Sequence, residues 1–475
     1  MKLDPLTCYQ ALLSHDPRFD GVFFVGVQST GIYCRTVCPA RTPRPESCTF
    51  HPTAAAAERA GFRPCLRCRP ELAPGNARVD ALGRLAAAVM DRIESGALSD
   101  DGVAALAAEL GVTDRHLRRV VKSELGVSPV ELAQTQRLLL AKRLLTDTAL
   151  PVTEVAFASG FASVRRFNAL FQERYRLCPS ELRKTSRVGT VPDVLRFELA
   201  YRPPLDWDAV LQFLVQRAAP GVEVVSGGGY RRTVRAGKCT GWVYVRPQAE
   251  RGSLQVELSA SLAGVVLPVL SGVKRLFDLS AEPRRIAEHL GELAAPHPGL
   301  RVPGSMDGFE TAVRAILGQQ VSVKAATTLA GRLAARFGEP MALAPEGLTH
   351  LSPTAESIAE AEVAQLTALG LTQARAACVL GLARAVVEGR VSLEPQPDVE
   401  AAMARLQELP GIGEWTAHYL AMRVYAWPDA FPHADLGIRK ALGELPPRQV
   451  LQLAEGWRPW RAYAAMHLWK SLETR

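Results

Sequence analysis

Four cysteines in this chain are spaced for metal chemistry. Cys34 and Cys38 form a Cys-x3-Cys pair and Cys65 and Cys68 a Cys-x2-Cys pair, so four thiolates can close a tetrahedral zinc shell across the loop between them. Cys8, Cys48, Cys178, Cys239 and Cys378 stand apart and read as ordinary small side chains. Spacing alone suggests a structural zinc, because a module of about 70 residues has a thin core and gains folding free energy from a metal. A second arrangement lies near the far end. Leu409-Pro410-Gly411-Ile412-Gly413 sits between two amphipathic segments, Val399 to Leu406 and Trp415 to Val424. Glycines at this spacing permit a tight hairpin whose backbone N–H groups, with the following helix N-terminus, can hold a phosphate whatever the base sequence. Further on, in Phe431-Pro432-His433-Ala434-Asp435-Leu436, a carboxylate stands where it either caps a helix starting near Leu436 or serves chemistry.

The elements that must position these groups are legible as shifts in composition. At 475 residues the chain is too long for one core, so about two to four domains are expected. Hydrophobic residues at 48% and charged residues at 22% are globular values, and a net charge of +8 suits a polyanionic partner without identifying one. No stretch approaches the roughly 20 apolar residues that span a bilayer. Met1-Lys2-Leu3-Asp4-Pro5 lacks the apolar stretch of a secretory signal, so the cytoplasm is the expected compartment and no membrane partner is expected. Up to about Pro74 the chain is rich in Pro, Cys and Arg, with short apolar pieces such as Gly21-Val22-Phe23-Phe24-Val25, as in a small loop-rich module. From Asp80 to about Arg183 apolar residues recur three and four apart, broken at Gly111, Gly126, Pro129, Pro151 and Gly160, which predicts an all-helical bundle. Lys184 to Pro192 reads as a linker. Leu254-Gln255-Val256-Glu257-Leu258 alternates, and Gly227-Gly228-Gly229 supplies a turn, so antiparallel strands are expected between Val194 and about Ala263. Helical spacing dominates from Leu267 onward.

The helical bundle contains one pattern twice. Val103 to Leu110, Gly111, and Thr113 to Val121 read as helix, tight turn and a second helix capped by Thr113. Val152 to Ser159, Gly160, and Ser163 to Phe171 repeat it, and the pair resembles an AraC-type regulator. Each second helix can offer side chains to a major groove: Arg115, His116, Arg118 and Arg119 from the first, Arg165, Arg166 and Asn168 from the second. The plainer alternative is a solvated helix face. Leu117, Val120, Phe167 and Phe171 read as core.

The sequence around the cysteines carries a further resemblance. Gly31-Ile32-Tyr33-Cys34-Arg35 with Cys38, then Ala60-Gly61-Phe62-Arg63-Pro64-Cys65-Leu66-Arg67-Cys68, resembles the N-terminal domain of the Ada adaptive-response family over roughly residues 1–75. The resemblance implies that Cys34, while a zinc ligand, irreversibly accepts a methyl group from a DNA methylphosphotriester. Four thiolates on Zn²⁺ carry about −2, and methylating one leaves about −1, so repulsion from phosphate falls and DNA affinity should rise. Seven arginines (35, 41, 44, 59, 63, 67, 69) against two acids (Glu46, Glu58) between Thr30 and Pro70 are expected to contact phosphate.

Hairpin, glycines and distal Asp together match the helix-hairpin-helix glycosylases. Arg301-Val-Pro-Gly304, Ala315-Ile-Leu-Gly-Gln-Gln-Val-Ser-Val323, Phe277-Asp-Leu and Trp457-Arg-Pro-Trp-Arg-Ala-Tyr463 resemble 3-methyladenine DNA glycosylase II, over about residues 192–475. The resemblance implies that Asp435 stabilises the oxocarbenium-like sugar and orients or deprotonates the attacking water, and that Trp415, Tyr419 and Trp469 line the base pocket. A cationic methylated purine is drawn to an aromatic face and is itself a good leaving group. By alignment Gln320 is the wedge that fills the gap left by the flipped base, where the best-known relatives carry an apolar residue. Relatives that also cut the backbone carry a lysine where this chain has Trp415, so a monofunctional hydrolase is expected. Ala434 replaces an Asp of some relatives, which leaves Asp435 as the carboxylate and Asp429 as a distant alternative. The Pro-Cys-His-Arg motif of the second Ada methyltransferase is absent.

The expected fold is multidomain: a small zinc-bound α+β module at 1–78, an all-α double helix-turn-helix module at 79–186, an α+β subdomain at 192–300 and an all-α helix-hairpin-helix core at 301–475. The expected protein is a monomer that repairs alkylated purines and regulates transcription. Its expected partners are double-stranded DNA bearing damaged bases, methylphosphotriesters or an operator, and RNA polymerase. The competing reading is a methylation-responsive activator whose glycosylase region is an inactive clamp; Asp435 and the three aromatics speak against it.

Overall fold

The short apolar pieces near the N-terminus become a small sheet, in which Phe24, Val25 and Tyr33 are buried while the strand Cys48–His51 is half-buried at one edge. The computed structural model describes residues 4–75, 83–96, 98, 102–184 and 193–473; of the linker expected from Lys184 to Pro192, Lys184 ends helix Pro179–Lys184 and the rest lies outside the described residues. The chain forms two units: Met1–Arg202 with Gln248–Ser271 and Leu279–Ala281, and Pro203–Pro247 with Gly272–Asp278 and Glu282–Arg475.

In the first unit β1 (Phe24–Val27) pairs antiparallel with both β2 (Ile32–Cys34) and β3 (Cys48–His51), and β2 pairs parallel with β4 (Arg63–Pro64). Since β2 ends on Cys34 and β4 leads directly into Cys65, the parallel pair brings the two halves of the cysteine set together. Helix Ala54–Arg59 starts at Thr53, whose hydroxyl accepts from Ala56 N at 3.0 Å, and packs under the sheet. Phe24, Tyr33, Ala57 and Phe62 form one core with Leu139 of the long helix Pro129–Asp147, so the cysteine module and the helical module share buried surface.

The predicted repeat is present as helices Val103–Glu109 and Asp114–Leu125, then Val152–Ala158 and Val164–Tyr175, with Pro129–Asp147 between the pairs in the chain. Thr113 and Ser163 cap the second helix of each pair by accepting from the N–H groups of His116 and Arg166, each at 3.3 Å. Gly111 and Gly160 sit in the left-handed region, with φ of +69° and +82°, where a side chain would strain the turn. Leu117, Phe167 and Phe171 are fully buried.

Buried polar contacts tie the cysteine module to the long helix. The carboxylate of Glu58 accepts from Tyr33 Oη at 3.1 Å and from Thr135 Oγ1 at 2.7 Å. Lys142 Nζ donates to both oxygens of Glu71 at 2.6 Å, and Arg69 pairs with Glu71 and Asp147 at 3.0 and 2.6 Å. Lone buried charges would cost several kcal/mol each, and pairing offsets that cost. Also in this unit, β5 (Val194–Ala200) pairs antiparallel with Ser253–Ser259, burying Leu195, Phe197 and Leu199 with Leu254, Val256 and Leu258, as the alternation predicts.

The second unit holds the antiparallel run β6 (Glu223–Ser226), β7 (Gly229–Ala236) and β8 (Cys239–Gln248); Gly227 and Gly228, with φ of +58° and +71°, make the first turn. The site rests on helices Gly308–Leu317, Val323–Phe337, Gln373–Val387, Val399–Gln407, Glu414–Arg423, Leu436–Ala441 and Arg461–Glu473. Several of the motif residues that carried the resemblance are scaffold. Arg301, with no exposed surface, donates to the carbonyls of Asp278 and Pro204 at 3.3 and 3.0 Å, and Tyr463 Oη donates to Asp278 Oδ2 at 2.7 Å. Among the described residues no helix is long and apolar enough to cross a membrane.

Candidate active site and metal centre

Asp435 does cap helix Leu436–Ala441: its Oδ1 accepts from Ile438 N at 3.0 Å. Capping uses only part of its bonding. The indole N–H of Trp469 donates to the same oxygen and that of Trp415 to Oδ2, each at 2.8 Å. Three N–H donors therefore fix the plane of this half-buried carboxylate. Gly437 makes room for the convergence, since a Cβ there would come within 3.0 Å of Asp435 Oδ1 and 3.1 Å of the Trp469 ring.

Trp415 and Tyr419 lie one turn apart on helix Glu414–Arg423, so their rings stack, with centroids 5.3 Å apart and planes 11° from parallel. Trp469, from helix Arg461–Glu473, meets Tyr419 at 6.4 Å. These three aromatics and Asp435 line one cavity of about 400 Å³, within the size range of small-ligand pockets. The cavity also has a charged wall that the sequence reading missed. Arg314 pairs with Glu223 at 2.6 Å and with Glu310 at 3.2 Å, and Arg232 pairs with Glu310 at 2.5 Å. Arg423 Nη1 donates to Tyr419 Oη at 2.7 Å while its other nitrogens hold the carbonyls of Pro303 and Gly304. Burial opposes ionisation of Tyr419, but the charges of Arg423, Arg217 and Arg314 outweigh it and hold the phenol below the ordinary tyrosine range.

The hairpin between helices Val399–Gln407 and Glu414–Arg423 has Gly411 at φ +92°, where a Cβ would meet Cys378 Sγ at 3.0 Å. Ile412 is buried and anchors the turn, whereas Pro410, Gly411 and Gly413 are exposed. Gln320 is exposed on the loop between helices Gly308–Leu317 and Val323–Phe337, with φ +55°; the cavity wall takes Gly318 and Val321 from that loop instead. Asp429 is spent on structure, accepting from Arg461 at 2.7 and 3.0 Å and from Arg458.

In the first unit the sulfurs of Cys34, Cys38, Cys65 and Cys68 all lie within 4.8 Å of one another. Zn–S bonds of about 2.3 Å in a tetrahedron put sulfurs about 3.8 Å apart, so the set fits zinc. Cys34, at 9% exposure, is the most accessible of the four. Two of the seven arginines expected to contact phosphate are used internally. Arg35 is buried against Asp20, and Arg69 serves Glu71 and Asp147, so Arg41, Arg44, Arg59, Arg63 and Arg67 remain at or near the surface. On the helical module Arg115, Arg118, Arg119, Arg165, Arg166 and Asn168 are exposed, with Arg118 bound to Asp114 at 2.8 Å and Arg119 to His116 at 3.0 Å.

Four family models match along the chain: the metal-binding domain of Ada at residues 7–71, a helix-turn-helix domain at 106–185, the AlkA N-terminal domain at 196–307, and the HhH-GPD superfamily of base excision DNA repair proteins at 313–447. A single relative aligns along all four matched regions. The Mycobacterium tuberculosis H37Rv protein described as a "probable bifunctional transcriptional activator/DNA repair enzyme AlkA" is 39% identical over 485 residues, 98% of this chain and 96% of the relative. The chain belongs to this AlkA-type activator/repair family. Within the family's C-terminal half, Escherichia coli DNA-3-methyladenine glycosylase 2 is 41% identical over 273 residues, which is 58% of this chain and 96% of that enzyme. The solved 3-methyladenine DNA glycosylase of Archaeoglobus fulgidus shares the fold, with a TM-score of 0.51 at 24% identity over 58% of this chain and 98% of its own. The Ada match and the four-sulfur cluster together assign the metal as zinc.

Proposed function

We propose that the protein is a monofunctional DNA glycosylase for alkylated purines of the 3-methyladenine and 7-methylguanine type, fused to a methylphosphotriester-accepting sensor and an operator-binding module. The observation that carries this reading is Asp435, held by two indole N–H groups on the wall of an aromatic cavity. The hairpin from Pro410 to Gly413 grips the backbone, Gln320 enters the gap left by the flipped base, and Trp415, Tyr419 and Trp469 receive the base. Stacking a cationic base on aromatic faces contributes about 2 kcal/mol when water is excluded. As the C1′–N bond breaks, its electron pair leaves with the base, and Asp435 stabilises the positive charge growing on the sugar. Water then bonds to C1′ and gives up a proton, leaving an abasic site. Trp415 has no amine for a Schiff base where the lyase relatives carry a lysine, which supports hydrolysis without strand cleavage.

In the sensor, the sulfur of Cys34 bonds to the methyl carbon of a phosphotriester as the carbon–oxygen bond breaks, and a phosphodiester remains. Zinc, when bound, keeps that sulfur a thiolate at neutral pH. Arg115, Arg118, Arg119, Arg165, Arg166 and Asn168 read the operator, RNA polymerase is the partner in activation, and the protein acts as a monomer in the cytoplasm. The four modules are 1–78, 79–186, 192–300 and 301–475.

The test is release of 3-methyladenine from methylated duplex DNA by the full chain and by Asp435→Asn. The wild type should release base, and the variant should be slower by about 100- to 1,000-fold. Equal rates would move catalysis elsewhere, and no release by the wild type would leave only the inactive-clamp reading. Mass spectrometry after exposure to methylated DNA should find one added methyl on Cys34 and none in Cys34→Ala.

A further inference from the structure

The residue next to the expected wedge has an unusual set of partners. The side-chain amide of Gln319 donates to the hairpin carbonyl of Gly411 at 2.9 Å and to Thr416 Oγ1, on the helix that follows, at 3.1 Å. Its backbone carbonyl accepts from Arg375 Nη2, in the first turn of helix Gln373–Val387. One residue is thus fastened to the phosphate-gripping hairpin at one end and to a separate helix at the other. Gln320, immediately after it, has φ +55°, in the left-handed region that a non-glycine side chain occupies at a cost of about 1 kcal/mol or more. Such a conformation persists when its surroundings fix it. Here those surroundings are the Arg375–Gln319–Gly411 bracket on one side and, on the other, Ser322, which caps helix Val323–Phe337 by accepting from Ala325 N at 3.2 Å.

We propose that Gln319 and Arg375 are positioning residues that lock the Gln320 loop to the hairpin, so that seating the hairpin on a phosphate also drives Gln320 toward the base stack. Neither residue lines the cavity, so neither acts on the glycosidic bond. Their contribution falls on the opening of a paired base and is absent when the base is already unpaired. This inference rests on the base-excision reading.

The experiment uses the full chain and two duplexes with the same N-methylated purine, one with the lesion paired and one with it in a single-nucleotide bulge. Single-turnover release is measured for wild type, Arg375→Ala, Arg375→Lys and Gln319→Leu. Losing a hydrogen bond to a charged donor should slow Arg375→Ala by about tenfold or more on the paired duplex and leave the bulged duplex unchanged. Arg375→Lys, which can still donate to the Gln319 carbonyl, should recover most of the rate. Gln319→Leu keeps the shape without the donors and should repeat the paired-only defect, and it serves as the test if Arg375→Ala does not fold. Equal slowing on both duplexes, or no slowing on the paired one, overturns the proposal. Failure of the wild type on both duplexes would instead remove the base-excision reading.

Discussion

The two anionic centres to which chemistry is assigned are held by opposite means. The four sulfurs of the N-terminal centre crowd within 4.8 Å, an arrangement that needs a dication, and the module around them is too small to fix four anions by packing alone. Asp435, by contrast, is oriented by one backbone and two indole N–H groups from elements already folded for other reasons. The difference suits the two proposed tasks. A methyl acceptor acts once and uses the change in its own charge as the signal. A repair carboxylate must return to the same state after every turnover, and neutral donors fixed in place do not titrate or dissociate.

Removing zinc should have the largest effect and bears on the comparison directly. A strong chelator should unfold the sheet β1 to β4, because metal binding in such modules contributes roughly 10–16 kcal/mol. The shared core at Leu139 should carry the loss into the neighbouring helices, while base release continues. Thermal melts and excision assays with and without chelator would show this, and loss of both activities together would break the contrast. Next in size, Trp469→Phe and Trp415→Phe each remove one donor from Asp435 while keeping an aromatic ring. A hydrogen bond to a charged group is worth roughly 1.5–3 kcal/mol, so single-turnover excision should fall about 10- to 100-fold with little change in melting temperature. A loss of the same size in DNA binding instead would reassign the indoles to packing.

The smallest effect concerns the contacts between the cysteine module and the long helix. Burial pushes Glu58 up to about 7 from an ordinary 4.5. Between those values the folded chain holds a proton that the unfolded chain has released, so the stability of the first unit should fall as pH rises through that window. The decline should total roughly 1–3 kcal/mol, and Glu58→Gln should flatten it in urea titrations across pH. A stability that rose with pH there would mean that the hydrogen bonds from Tyr33 and Thr135 outweigh burial.

Much of this was legible because local rules bind local residues. Thr113 and Ser163 announce their helices, Gly227 and Gly228 their turn, and the hairpin glycines their tight bend. Asp435, Trp415, Tyr419 and Trp469 could be named in advance because family motifs fall on them. What escaped depends on partners far apart in sequence. Arg35 counts as a surface charge until the fold sets Asp20 beside it, and Arg423 looks like the polar face of a helix until Tyr419 and the carbonyls of Pro303 and Gly304 surround it. The charged wall of Glu223, Arg232, Glu310 and Arg314 joins a strand to a helix more than 70 positions away, and no window of sequence contains both.

That Asp435 caps a helix and is also the carboxylate proposed to react bears on how the gene can drift. Asparagine caps a helix about as well as aspartate does, and one nucleotide change reaches it. Its amide nitrogen, however, would face an indole N–H that a carboxylate oxygen accepts from, so the change would silence the proposed chemistry and leave one indole donor unpaired. Leucine or alanine would lose the cap and both indole contacts, so asparagine is the least disruptive of the three. A lineage that needed only the regulator could reach it by that single step, and an Asn at 435 in a sister sequence would mark where repair had been given up.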